Sequence, residues 1–598
     1  MSSPFQSEKD CILPSTSSNP SLPHYTKKVR LNYKKICFVG LGVYCALSVL
    51  YAKRDWFESF YGYTGYSFSP ACPQVDTITP EKHNELWKAM NNKISTPEFQ
   101  ESAINWLGGA VRVPTESFDN MDPVGVDPRW NAFGPFHDYL LSAFPLVHSK
   151  LKLNKVNTYG LYYEWTGSDA SLKPLLLAAH QDVVPVDPTT VDQWTHPPYS
   201  GYFDGKRIWG RGSSDDKSGL IGILTSIETL LAANFEPTRT VVLAFGFDEE
   251  ASGFQGAGKL GPFLQEIYGE DGFAMVVDEG SGFVEQYGTV VATPGIAEKG
   301  FLNTLVEVTA PGGHSSIPPA HTSIGILSSL LVHFERNPYK VEITRHEPMY
   351  DTLQCVAEHG KSVPAKLRKV IKKSAHSKSA LRALQEFIRE DKVLSSLVGT
   401  TQAIDLIHGG VKSNALPEQA WAIVNHRIAV VSSVDAVKAH DTALLESLSK
   451  KFNLTYSAFG KKISQDGASA SGTLTLSDAF NGALEPAPIT PTDKDAAPYH
   501  LLSGTIKATF NAHRGVDMDD SKSIIVAPSM MSGNTDTRFY WKLSKHIFRY
   551  NHHSAGNDSK NPLSSVHTVN EFAEVDSFLE MIRFFTTLIL NADESTSL

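Results

Sequence analysis

Three successive apolar runs each stop on carboxylates or an imidazole, and this constrains the fold more than any other feature of the chain. PLLLAAH (174–180) ends on His180, with Gln181 and Asp182 next; TRTVVLAFGF (238–247) runs into Asp248, Glu249 and Glu250; FAMVVDEG (273–280) carries Asp278 and Glu279 at its end. Between them, GLIGILTSIETLLAANF (219–235) and GAGKLGPFLQEIYG (256–269) read as helices, and TYGLYYEWTG (158–167) reads as a further strand ahead of them. Apolar runs of about six residues alternating with amphipathic helices are central strands covered on both faces, so the domain is expected to be α/β. Open sheets of this kind bind ligands beyond the carboxyl ends of their strands, where these acids and His180 fall. Asp215 and Asp216 lie in the glycine-rich turn WGRGSSDDKSG before a helix, and His567 lies in SVHTVNEF before a last amphipathic helix at 571–591. So much negative charge in one cleft is costly unless a cation compensates it. Imidazole and carboxylate without cysteine suit Zn2+ or a similar divalent ion, and the set suffices for two ions if one carboxylate bridges.

Helical segments are expected around 87–106 and 134–148. The period changes after Glu298: GFLNTLVEVTA (300–310) alternates like a half-buried strand, a helical run follows at 320–336, and AWAIVNHRIAVV closes at 420–431. The expected organisation is a first part of the α/β domain at 86–299, an inserted α+β lid domain at 300–455, and a second part at 456–598 completing a mixed sheet flanked by helices.

The N-terminus has a different character. Residues 1–35 read as a disordered cytoplasmic tail, and Lys27, Lys28, Arg30, Lys34 and Lys35 precede an uncharged apolar run at 36–52. At 1.5 Å per residue this run spans roughly 25 Å, the short end of a bilayer crossing. The basic excess before it keeps the tail in the cytosol and sends the body across as a single-pass type II protein, with 53–85 as a lumenal linker. Asn453 and Asn557 are glycosylation acceptor triplets on that side, and Cys72 and Cys355 are the only cysteines there, either a disulfide or two buried thiols. Lys plus Arg number 54 against 64 for Asp plus Glu, a net charge of −10, which gives no basic footprint for nucleic acid.

Taken in order, AHQDVVPV, WGRGSSDDKSG, DEEASG, VVDEG, APGGHSS, GGVKSNALPE and HTVNE resemble the M20 family of di-zinc metallopeptidases and aminoacylases, and within it the fungal vacuolar Gly-X carboxypeptidases. The resemblance covers roughly residues 85–595. It implies two Zn2+ per subunit: His180 and Asp278 at the first, Glu250 and His567 at the second, and Asp215 bridging both, with a cis Asp215–Asp216 peptide. Glu279 is the alternative to Asp278, since neighbours on an extended backbone face opposite ways. The resemblance further implies Glu249 as general base, Asp182 as the carboxylate that orients His180, and His314 as an oxyanion-stabilising lid residue, in some members acting across a dimer interface. Asn414 and Arg427 would hold the substrate carboxylate, with Gly533 a backbone anchor opposite them. The implied activity is hydrolysis of the C-terminal bond of short peptides with a free carboxylate. The alternatives are an N-acyl amino acid hydrolase using the same metals, and a non-catalytic membrane-tethered binding protein. A vacuolar address, a homodimer through the lid, and sorting by ubiquitin on Lys9, Lys27 or Lys28 complete the expectations.

Overall fold

The computed structural model describes residues 71–464, 470–516, 523–554 and 566–598. Its larger sheet runs in the order Lys152–Val156, Gly160–Trp165, Val241–Gly246, Leu175–His180, Met275–Gln286, Ile547–Ser554, Gly295–Glu298 and Ser529–Met531, with Thr289–Ala292 and Ile525–Val526 attached off this path. Val241–Gly246, Leu175–His180, Met275–Gln286 and Ile547–Ser554 are mutually parallel, so their carboxyl ends share one edge. The antiparallel pairs at the Lys152 side make the sheet mixed, as expected.

The period of two explains why these strands read as unbroken apolar runs. Leu175, Leu177 and Ala179 enter one core with Val241, Leu243 and Phe245, while Leu176 and Ala178 enter the opposite core with Val242 and Ala244. Full burial of one such Leu or Val contributes about 1.5–3 kcal/mol. Helices Lys217–Ala232, Ala497–Arg514 and Val575–Glu594 cover the first face, and Ala257–Tyr268 covers the second. Lys217–Ala232 is buried nearly all round because Val575–Glu594 packs outside it, the Ser226 hydroxyl donating to the Ile582 carbonyl at 2.9 Å.

Two expected helical segments are each divided by a proline at the start of the following helix. Asn84–Ile94 gives way to Pro97–Val111, where Thr96 caps by accepting the Phe99 N–H, and Phe133–Ala143 gives way to Pro145–Lys150.

The second sheet takes the order Thr401–Gly409, Gln419–Ile428, Gly300–Thr309, Gly472–Asp478, Leu454–Ala458, Lys461–Lys462. Gly300–Thr309 alternates buried and half-buried residues along its whole length, as its sequence predicts. The boundary expected at 455 is corrected: it falls inside this sheet, which continues to Asp478, because GTLTLSD is itself an alternating strand pairing with Gly300–Thr309. A single residue, Lys299, joins Gly295–Glu298 of the larger sheet to Gly300–Thr309 of the lid.

The lid also contains helices that return to the larger sheet. Met349, Tyr350 and Leu353 of Pro348–His359 pack with Ala297 and Met530, and Cys355 is disulfide-bonded to Cys72. The linker expected over 53–85 is therefore held against the body from Cys72 onward, where Gln74 also bonds the Val526 backbone in both directions. The expected tail, the apolar run at 36–52 and Asn557 lie outside the described residues. Among the described residues, no helix is long and apolar enough to cross a membrane.

Candidate metal centre

His180 ends its strand with a buried side chain at the carboxyl edge of the sheet. Its Nδ1 lies 3.1 Å from the Asp182 carbonyl and 3.3 Å from Asp182 Oδ1, which assigns the ring proton to Nδ1 and leaves Nε2 free to coordinate. That Nε2 is 3.1 Å from Asp215 Oδ1 and 3.5 Å from Glu279 Oε1. The other Asp215 oxygen, Oδ2, is 3.1 Å from His567 Nε2, which is also 3.0 Å from Glu250 Oε1. Asp215 thus presents one oxygen to each imidazole. The Asp215–Asp216 peptide is cis. Ligand-type atoms of His180, Asp215 and Glu250, and of His180, Asp216 and Glu279, lie within 4.8 Å of one another.

Two carboxylates support this cluster from behind. Asp182 accepts the Ser117 hydroxyl at 2.6 Å and the backbone N–H groups of Glu249 and Glu250 at 3.1 Å each, so one buried acid orients His180 and fixes the turn carrying both glutamates. Glu571 accepts from the backbone N–H groups of Gly212, Ser214 and Asp215 at 3.0, 3.0 and 3.3 Å, and from Arg211 Nη1 at 2.6 Å. It thereby ties the Asp215 turn to the stretch that carries His567. Glu571 has no signal in the sequence beyond its place in HTVNE.

The expected role of Asp278 is corrected. Glu279, not Asp278, stands against His180, and both Asp278 carboxylate oxygens are buried without a hydrogen-bond partner. The cause is an irregularity in the strand: Asp278 pairs with Arg549, but the next pair is Ser281 with Tyr550, leaving Glu279 and Gly280 outside the ladder. A Cβ at Gly280 would meet the Arg549 carbonyl carbon at 2.4 Å, so this close approach requires glycine. Asp216, read only as the neighbour of Asp215, also has its carboxylate in the cluster, where Asn551 Nδ2 donates to it at 2.8 Å.

The electrostatics call for a cation. Burial pushes the Glu249 and Glu279 carboxyls well above the usual range, with the Glu279 charge adding to the rise at Glu249 and the Asp215 charge to that at Glu279. Burial lifts Asp216 to about 8, and hydrogen bonds to Asp215 and Glu250 lift His567 to about 10. Burial works against ionisation of Asp215, yet His180 and His567 hold it below the usual carboxylate range. Two imidazoles and several carboxylates without a thiolate fit Zn2+.

The four expected lid-side contacts fall into two places. Arg427 and Gly533 line one cavity of about 360 Å³ with Lys299, Ser396, Thr401 and Ser532. Asn534 links them: its Nδ2 donates to the Lys299 carbonyl at 2.6 Å, and its Oδ1 lies 3.5 Å from Arg427 Nη1. The same loop is fixed by Thr535 and Thr537, which donate to buried Glu298, itself paired with Arg549 at 2.9 Å. His314 and Asn414 sit together elsewhere. Gly313–His314 pairs with Ala415–Leu416, the Ser315 N–H donates to the Asn414 carbonyl at 3.3 Å, and His314 and Asn414 are both exposed. Among the described residues, neither hydrogen-bonds to the cluster; His314 Nδ1 pairs with Ser316 Oγ at 2.7 Å.

Residues 176–591 match the model of peptidase family M20/M25/M40. Carboxypeptidase S of Saccharomyces cerevisiae is 40% identical over 536 residues, 89% of this chain and 90% of that protein. The N-fatty-acyl-amino acid synthase/hydrolase PM20D1 of Mus musculus is 32% identical over 507 residues, 81% of this chain and 87% of that protein. Among solved structures, human carnosine dipeptidase 1 superposes with a TM-score of 0.56 at 16% identity, covering 87% of this chain and all of that one, which shows a shared fold.

Proposed function

Because this chain belongs to peptidase family M20/M25/M40, we propose that it is a metallocarboxypeptidase releasing the C-terminal residue of short Gly-X-type peptides at a centre of two Zn2+. The observation that carries this reading is the Asp215 carboxylate, with one oxygen 3.1 Å from His180 and the other 3.1 Å from His567. His180, Asp215 and Glu279 would hold one ion, and Asp215, Glu250 and His567 the other. When bound, the ions supply Lewis-acid polarisation and acidify a water for attack. Glu249 takes the proton of the attacking water and returns it to the leaving amine; burial favours its protonated form, which suits the second half of that exchange. Asp182 keeps His180 in the required tautomer and holds Glu249 and Glu250 at fixed positions on their turn. The Arg427 guanidinium and the Gly533 backbone would hold the carboxylate of the departing residue, since a planar fork matches a carboxylate.

The N-acyl amino acid reading uses the same clamp and is supported by the similarity to PM20D1. Intact metal-type and base residues speak against a purely binding role. The test is turnover of N-benzyloxycarbonyl dipeptides and N-acyl amino acids by the full chain, with metal content measured in parallel. Faster cleavage of dipeptides and two zinc ions per subunit support the proposal; N-acyl amino acids as the only substrates, or one ion, contradict it.

The setting is proposed on sequence grounds: a single-pass anchor at 36–52, a lumenal body delivered to the vacuole, and ubiquitin on Lys9, Lys27 or Lys28 as the sorting mark. The Cys72–Cys355 disulfide supports an oxidising lumen, and Asn453 is exposed as glycosylation requires. We also propose a homodimer through the lid. Thr401–Gly409 is an edge strand exposing Leu406 and Ile407, with Val411 just beyond, an arrangement a second copy would cover. In such a dimer, His314 of the partner subunit would complete the site.

A further inference from the structure

We propose that Lys299 is a second cation of the carboxylate cavity, a specificity-determining residue acting with Arg427 on substrates that carry a free carboxylate beside the scissile amide. The proposal rests on the preceding section only in taking the Arg427 cavity as the carboxylate end, which both substrate readings share.

Lys299 is the single residue between the two sheets, and its side chain is fully buried. Its Nζ donates to the carbonyls of Ser396 at 2.7 Å and Gly399 at 2.6 Å, at the end of helix Lys392–Val398. Carbonyls at a helix C-terminus lack intrahelical partners and welcome a cation. An ammonium has three protons, so one remains for the cavity that Lys299 lines. Arg427 faces the same cavity, and among the described residues neither cation forms an ion pair with a carboxylate. The rest of the lining is Ser396, Thr401, Ser532 and Gly533, with no acid.

A buried ammonium and a half-buried guanidinium face one space whose lining holds no acid, the exposed Asp405 being the carboxylate whose charge reaches Arg427, and an arriving anion compensates both. Burial and the Arg427 charge hold Lys299 down to about 8, which a bound carboxylate would reverse. The nearby acid, Glu298, is engaged by Arg549, Thr535 and Thr537. A carboxylate has two oxygens, and this cavity offers each its own cation. The arrangement thus discriminates against amidated or otherwise neutral C-termini more strongly than a lone arginine would.

The experiment uses the full chain with N-benzyloxycarbonyl-Gly-Leu as substrate, and leucine and leucinamide as competing probes. Lys299→Gln keeps donors for the two carbonyls but removes the charge. It is expected to raise KM and the leucine inhibition constant roughly 10- to 100-fold, the worth of a hydrogen bond to a charged group, with kcat and leucinamide inhibition little changed. Lys299→Arg should restore the preference for leucine over leucinamide. Arg427→Gln should retain part of that preference, and the double variant should lose it. Wild-type preference in Lys299→Gln, or complete loss in Arg427→Gln alone, overturns the proposal; if Lys299→Gln does not fold, the Arg427→Gln result decides it. Failure of the unaltered chain to cleave either substrate class would instead count against the functional reading.

Discussion

The strand-end cluster and the lid loop around His314 contain residues expected to serve one reaction, yet they are built differently. His180, Asp215, Glu250, Glu279 and His567 converge within hydrogen-bond range because four parallel strands and two anchored turns bring them to one edge. Asp182 and Glu571, both buried, fix the backbone beneath them. His314 and Asn414 lie on a two-residue ladder, exposed, and bonded mainly to their own loop. Among the described residues the cluster draws its groups from one chain; in the proposed dimer the lid loop would serve the partner subunit's site. Arg427 stands between these cases, reaching through Asn534 to the junction of the two sheets.

The largest expected effect lies inside the cluster. Glu249→Gln preserves shape but cannot accept a proton, so kcat should fall about 10²–10⁴-fold with both metals retained and KM nearly unchanged. Steady-state kinetics with metal analysis on the same preparation checks this, and near-normal turnover would remove Glu249 from the role of base.

The next effect sharpens the contrast. His314→Ala should cost about 10²–10³-fold, the worth of one oxyanion donor. Mixing His314→Ala subunits with Glu249→Gln subunits, under conditions that exchange protomers, should recover activity. In a mixed dimer one site keeps a sound base and receives an intact histidine from across the interface. No recovery despite demonstrated exchange would place His314 in its own subunit's site.

Supporting carboxylates should matter less. Asp182→Asn and Glu571→Gln are each expected to lower activity or zinc affinity by about 10–100-fold. Competition with a chelator reads the affinity, and the Glu571 variant should weaken the ion nearer His567, whose loop it ties to the Asp215 turn. The smallest effect on folding is at the lid edge: Ile407→Lys should change stability by no more than about 0.5 kcal/mol, because the site is exposed. Sedimentation should nevertheless show a shift to monomer, and an unchanged dimer would move the interface elsewhere.

These differences track what the sequence made legible. Unbroken apolar runs ending in His180 and in Glu249–Glu250 are intelligible because regular strands obey a period of two and deliver their last residues to the carboxyl edge of the sheet. Counting cysteines leaves Cys72 and Cys355 as the one lumenal pair but does not separate a disulfide from two thiols; the bond itself is a feature of the fold. Periodicity does not tell Glu279 from Asp278 at this strand end, because a bulge has no period of its own; its trace is Gly280, which permits the close approach to Arg549. The lid extends past 455 without a strong sequence signal, because Gly472–Asp478 is short and half-buried beside the central strands. Glu571 and Lys299 are illegible in the sequence for a different reason. Each acts through backbone groups far away in sequence, and such partners leave no local pattern.

The central claim is that Glu279, with His180 and Asp215, completes one of two zinc sites. Zinc stoichiometry of Glu279→Gln and Asp278→Asn, measured beside the unaltered protein after dialysis against limiting chelator, tests it most directly. Two ions are expected in the unaltered protein, one in Glu279→Gln, and two in Asp278→Asn. Retention of both ions by Glu279→Gln together with loss of one from Asp278→Asn would contradict it.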